Sequence, residues 1–362
     1  MPTATDLLTR RALLGAAACT ALPAWSASPV TLFAAWDDGA SHHVGLLRAD
    51  ASVLRVQASL AAPTRAHGLA VEPEGTLLAV ARRPGDWLVR WHPSDRSHSK
   101  PLWHWNTSGR TFNGHIERRG DVVFTTETDA ESGHGVLVLR DAATLRECAV
   151  WPTHGRDPHD FLFDGNGALW LANGGIATDA ATGRAKDVQA MDSSLVRLDA
   201  RSGALTGQWR LADARLSLRH LALADDGRLG IAMQAEHDDA AQRNAAPVLA
   251  VWRGDELRAI DGPAAAGYGG DIAAIGSRFF VSATRANKLW AWHPNTAWRE
   301  FADARQVCAL AASRQRLWCG AADGVLSIDD DMTLPAQPLP RDVRLDNHVV
   351  LVAATSPRAL PR

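Results

Sequence analysis

Cysteine is scarce in this chain. There are four among 362 residues, and one of them, Cys19, lies within the first 28. Three thiols in the remainder do not make a disulfide scaffold. Cys308 and Cys319 flank a segment, 309–318, that reads as a hairpin turning near Ser313-Arg314, so one disulfide or two buried free thiols both fit. Charge of one sign is lacking too. The formal net charge is −2, which argues against nucleic acid or an anionic membrane as a partner. No Pro/Ser linker, charge run or low-complexity tract divides the chain. No apolar run is long enough for a transmembrane span. The compact signatures of common chemistries are also missing: there is no H-E-x-x-H, C-x-x-C or G-x-S-x-G, and no phosphate-cradling glycine loop. Length without subdivision points to a repeat architecture.

Residues 1–28 read as a twin-arginine signal peptide. Arg10-Arg11 precede a weakly apolar Ala/Leu stretch, and small residues at Ala24, Ser26, Ala27 and Ser28 offer a cleavage region. The expected location is therefore the periplasm, with residues 29–362 forming a single domain. Twin-arginine export carries folded cargo, often with a cofactor already inserted, which hints at a metal or prosthetic group.

The repeat is a short apolar strand ending in an Asp, Pro or Gly turn. It occurs in VGLLRAD (44–50), LVRWHPSD (88–95), VLVLRDA (136–142), LVRLDARSG (195–203), LAVWRGD (249–255), LWAWHPN (289–295) and VLSIDDD (325–331). The average spacing is about 47 residues, the period of a four-stranded propeller blade. A hairpin precedes most of these strands, as in HGLAVEPEGTLLAVA (67–81) and HDFLFDGNGALWLAN (159–173). Residues 30–57 supply three strands of a blade and 345–353 supply one more. Pairing them would close the ring and leave no open sheet edge. The expected fold is all-β: a seven-bladed β-propeller of four-stranded antiparallel blades, closed by the N- and C-terminal strands.

In such a blade the first strand is innermost, and its start lines one mouth of the central channel. The loop between the second and third strands emerges at the same mouth. The first strands begin at His67, His115, His159, His220, Asp271, Cys308 and His348, so five of seven carry histidine. Arg65, Arg156, Arg219 and, less regularly, Arg344 precede several of them. The long loops following the second strands run from Glu127 to His134, Asn173 to Met191 and Glu236 to Asn244. Insertions gathered on one face of a repeat protein mark its binding face. The candidate metal ligands are His67, His115, His159, His220, His348, Asp271 and Glu127. Arg65, Arg156, Asp160, Asn173, Arg219 and Gln234 form the candidate binding face. Imidazoles and carboxylates converging there could ligate Fe, Cu or Zn, act as acid–base groups, or combine with the arginines in an anion pocket. An oxygen-rich set of Glu127, Asn173, Asp160 and Asp271 would instead suit Ca²⁺. Each histidine could equally be a structural pin between blades.

Four stretches, in order, carry a family resemblance. They are FNGHIERRGDVVFTTETDAESGHGVLVLRDA, HGRDPHDFLFDGNGALWLANGGIATDAATGRAK, SLRHLALADDGRLGIAMQ and LDNHVV. Together they resemble the bacterial domain-of-unknown-function family 1513, exported propeller-like proteins. The resemblance implies a role in periplasmic iron handling beside imelysin-like lipoproteins, but no assigned activity. The blades beginning at Asp271 and Cys308 lack the histidine. The expected function is metal binding, iron foremost, or capture of a metal-carrying partner at a His-lined mouth. The alternatives are a metal-dependent hydrolase, lactonase or oxidoreductase, and an interaction scaffold.

Overall fold

The computed structural model describes residues 29–50, 53–93, 100–107, 109–179, 185–329 and 332–352; the segment 1–28, expected to be a signal peptide, lies outside them. Among these residues the chain forms seven four-stranded antiparallel sheets, the blades of a propeller. Blade 1 joins the two ends: Arg344–Val352 is innermost, followed outward by Val30–Asp37, His42–Ala49 and Leu54–Ala62. Blades 2, 3 and 4 begin at Ala66–Val71, Arg110–Arg119 and Pro158–Phe163. Blades 5, 6 and 7 begin at Leu216–Leu223, Ile272–Ile275 and Leu310–Ala312. Each of these first strands touches the first strand of the next blade all the way round, so together they wall the channel.

Packing follows from the two-residue period of a strand buried on both faces. In blade 4, Leu169 and Leu171 face blade 3, whereas Trp170 and Ala172 face blade 5. In blade 1, Leu32, Ala34 and Trp36 face blade 7 and Phe33 and Ala35 face blade 2. The result is seven apolar clusters, one in each seam between neighbouring blades. Ring closure rests on one of these seams and on the pairing of Thr31–Ala34 with Val349–Val352.

The seven apolar strands read from the sequence are the third strands of their blades. The longest loop, in blade 4, carries a small hairpin of Ala177–Thr178 with Ala185–Asp187. The loop of blade 5 carries the six-residue helix Ala240–Ala245, capped by Asp239. Cys308 and Cys319 are buried free thiols. The register sets Cys319 opposite Leu310, so the disulfide that the hairpin permitted does not form. His42 and His43 open the third strand of blade 1. His43 stacks on Trp36 and bonds Asp38 at 2.9 Å.

Candidate functional site

Five first strands carry the histidines, and in all five the ladder slips where the histidine lies. The register shifts fall between Ala66 and Leu69, Phe112 and Ile116, Pro158 and Phe161, and Leu218 and Leu221. In blade 1 the shift sets Ala35 of the neighbouring strand against Asp346–His348 of the first strand. The first strands of blades 6 and 7, which lack histidine, pair without a shift. A bulge re-aims side chains that regular pairing would send into the seams, and here it turns imidazoles into the channel. Two glycines make room. A Cβ on Gly68 would collide with the backbone of Gly114, and one on Gly114 (φ +101°) would sit 2.8 Å from the His67 ring.

Side chains of adjacent blades satisfy the backbone groups that the bulges free. Thr126 donates to the His159 carbonyl at 3.1 Å and Asn113 to the Pro158 carbonyl at 3.0 Å. Asp160 accepts from the Phe161 and Leu221 amides at 2.8 and 2.9 Å, bridging blades 4 and 5. Asp271 does the same with Ile272 and Leu310, at 2.8 and 2.9 Å, between blades 6 and 7. Both aspartates are therefore blade pins that also meet an imidazole. Asp160 lies 3.0 Å from His115 Nδ1, and Asp271 lies 3.4 Å from His348 Nδ1.

The five imidazoles form a layer across the channel, with nine of their ten ring-centroid pairs 4.4–6.1 Å apart. One potential ligand atom from each of His67, His115, His220 and His348 falls within 4.8 Å of the others. His67 Nε2 lies 3.2 Å from His348 Nε2, and His159 Nε2 lies 3.0 Å from His220 Nε2. Either contact has the length of an N–H···N hydrogen bond, and also that of two nitrogens bound cis to one ion at about 2.0–2.1 Å; His159 stands outside the four histidines that converge. His115 Nε2 is buried without a partner, as are Nδ1 of His67, His159 and His220. A buried nitrogen lacking a partner is costly.

Protonation favours ligation. Burial holds His67, His159 and His220 well below their ordinary value, and neighbouring histidines push each further down. Their rings are thus neutral at pH 7, as a metal requires. His348 goes the other way: burial lowers it, but Asp271, with Asp160 and Asp346 behind it, outweighs that and raises it. An Nδ1–H held by a carboxylate leaves Nε2 free to ligate.

The layer separates two spaces. On the mouth side, His67, His159 and His220 floor a recess walled by Arg82, Arg83, Arg219, Gln234 and Tyr268. On the far side the channel is lined by His115, Glu117, Asp160, Asp271 and His348. Burial, and then Asp160, pushes the Glu117 carboxyl up to about 7. The sequence did not single out Glu117, Arg82 or Arg83. The first alternates with His115 along one strand, and the other two end a second strand, at the mouth where the long loops emerge.

Of the residues expected here, the five histidines, Asp160 and Asp271 come together, and Arg219 and Gln234 wall the recess. Arg65 sits at the rim in a two-pronged pair with Asp346. Arg156 does not line the recess, and its carbonyl accepts from Gly175.

Glu127 is not at the mouth, contrary to expectation. It lies within the strand Val122–Asp129, wholly buried, and pairs with Arg140 at 2.6 Å and Arg110 at 3.2 Å. Strand alternation turns it into a seam, away from the channel. Asn173 is likewise a structural tie, donating to the Thr153 carbonyl at 2.8 Å. The oxygen-rich cage of Glu127, Asn173, Asp160 and Asp271 therefore does not assemble.

Comparison with solved structures extends the fold assignment. A functionally unknown protein from Desulfotomaculum acetoxidans matches with TM-score 0.58 at 8% identity, over 90% of this chain and 99% of that one. A virginiamycin B lyase from Staphylococcus aureus matches with TM-score 0.53 at 12% identity, over 75% of this chain and 84% of that one. At such identities the likeness is one of fold alone. No protein of curated function matches the sequence significantly. The family model described as "Protein of unknown function (DUF1513)" covers residues 60–352, the span holding all seven first strands and every histidine of the layer, and the chain belongs to that family.

Proposed function

We propose that the protein is an exported, periplasmic metal-binding propeller that holds one first-row transition-metal ion in the histidine layer and serves iron acquisition. The observation that carries the metal is the convergence of ligand atoms from His67, His115, His220 and His348 within 4.8 Å, with burial holding His67 and His220 well below their ordinary value. Imidazole donors suit Fe, Cu or Zn and are poor ligands for Ca²⁺. Asp160 and Asp271 orient His115 and His348 and bring negative charge near the ion. The choice of iron, and of imelysin-like proteins as partners, draws on the family resemblance and not on the donor set.

The test is metal analysis of the purified protein after loading with Fe²⁺, Cu²⁺ or Zn²⁺ and desalting. About one tightly held ion per chain is expected, lost in His115→Ala and His220→Ala variants that still melt cooperatively. Failure to retain any of the three ions removes the metal reading and leaves an interaction scaffold. Iron-limited growth of a strain carrying His220→Ala tests the physiological part, and normal growth would sink it. A metal-dependent enzyme is the second reading, favoured by Glu117, which lines the channel beside His115 with a carboxyl near 7, the range of a general base. Glu117→Gln separates the two: a binding protein keeps its full function, an enzyme does not.

A further inference from the structure

The recess on the mouth side of the layer holds more positive charge than its surroundings neutralise. Arg219 is 1% exposed, and Arg83 is its neighbour in the wall. Both guanidiniums bind the same carboxylate, Asp157, which Arg219 meets at 2.7 Å. Arg219 Nε is buried and has no acceptor. Arg82 stands at the exposed rim, and among the described residues no carboxylate pairs with it; burial, Arg65 and Arg83 all disfavour its charge. Asp157 and, farther off, Glu236 are the carboxylates that face Arg83 and Arg219, since Asp346 is engaged by Arg65. Three cations thus meet two anions, a surplus of one positive charge next to the imidazoles.

A surplus of this kind, partly withdrawn from water, is costly unless an anion completes it. We propose that the recess is a binding site for a small oxyanion, a carboxylate or phosphate group, gripped by Arg82 and Arg219 and flanked by Tyr268 and Gln234. Planar guanidinium forks match such oxygens in pairs. Arg219 lines this wall, and its buried, unpartnered Nε shows that the guanidinium is not saturated by its own surroundings. Tyr268 and Gln234 line the same wall and add neutral donors. The cavity itself is small, about 40 Å³, room for a few water-sized groups, so only the charged end of a ligand can enter it. The anion would rest against His67, His159 and His220 and offset the arginine field that opposes positive charge in the layer. The site does not depend on the metal reading, because the charge surplus exists without any ion in the cluster.

The test is calorimetric titration of oxalate and of inorganic phosphate into the purified protein at low salt. The protein is first stripped of metal and then dialysed free of chelator. One equivalent of at least one anion is expected, with affinity falling as salt rises. Arg82→Met, which breaks no ion pair, should weaken binding at least tenfold, and Arg219→Met should weaken it further. Circular-dichroism melts establish that both variants fold. Binding of oxalate alone assigns a carboxylate-bearing ligand, and binding of phosphate alone assigns a phosphate-bearing one. No binding of either anion overturns the proposal, and so does binding that both variants leave unchanged.

Discussion

Replacing Asp160 by asparagine separates the two duties that the structure gives this side chain. One carboxylate oxygen accepts from the Phe161 amide at 2.8 Å and lies 3.0 Å from His115 Nδ1; the other accepts from the Leu221 amide at 2.9 Å. An asparagine has a single acceptor oxygen. If that oxygen serves Phe161 and His115, the new NH₂ confronts the Leu221 amide, and a buried donor is lost at about 1–3 kcal/mol. If the amide flips, Leu221 is served, but NH₂ meets His115 Nδ1 and forces the proton onto Nε2. That tautomer cannot ligate. Either way Asp160→Asn should lower stability by about 1–3 kcal/mol, read as a fall of a few degrees in Tm. Metal affinity should drop about 10–100-fold, the usual cost of removing a partner that orients a ligand. Asp271→Asn makes the matched control. It disturbs an equivalent pair of amide contacts, to Ile272 and Leu310, but its imidazole, His348, is more distant at 3.4 Å, so its metal affinity should fall less for a similar loss of Tm. Competition titrations against a chromogenic chelator, paired with thermal melts, measure both quantities. An Asp160→Asn protein that loses stability but binds metal as tightly as wild type refutes the role assigned to His115.

Three further outcomes follow from buried groups. Glu127→Leu strips the wholly buried Arg140 of its main carboxylate and should cost about 3–5 kcal/mol in thermal or urea unfolding while leaving metal stoichiometry unchanged. A loss of metal in that folded variant would return Glu127 to the site. Glu117, raised to about 7 in the fold from an ordinary value near 4.5, binds its proton more tightly folded than unfolded. Stability of the metal-free protein should therefore decline as pH rises from about 4.5 to 7, by on the order of 1–3 kcal/mol, and Glu117→Gln should flatten that decline; identical pH–Tm curves for the two proteins would contradict it. Burial pushes the Cys308 thiol up to about 12 and raises that of Cys319 as well, whereas Cys148 is exposed. Mass spectrometry after brief iodoacetamide treatment at pH 8 should find Cys148 modified and Cys308 and Cys319 untouched until denaturant is added; early labelling of Cys308 would mean that its strand is open.

The sequence by itself determined the ring. Period-two strands broken by Asp/Gly turns, seven third strands at blade spacing, and complementary partial blades at the two ends leave little choice, because an apolar strand with two buried faces needs a neighbour on each side. It also placed the five histidines at the channel mouth, because they stand at the starts of innermost strands. What it could not reveal was which polar residues of the second strands share that space. Glu127 and Asn173 occupy similar positions on paper, but alternation turns Glu127 into a seam against Arg140, and the Thr153 carbonyl claims Asn173. Nor could it foresee the bulges, which are decided when seven strands compete for one narrow channel and the ladder yields at the histidines. The distances among imidazoles, the sharing of Asp157 by two arginines and the elevated carboxyl of Glu117 arise between blades far apart in the chain. They are properties of closure, and only the closed tertiary structure decided them.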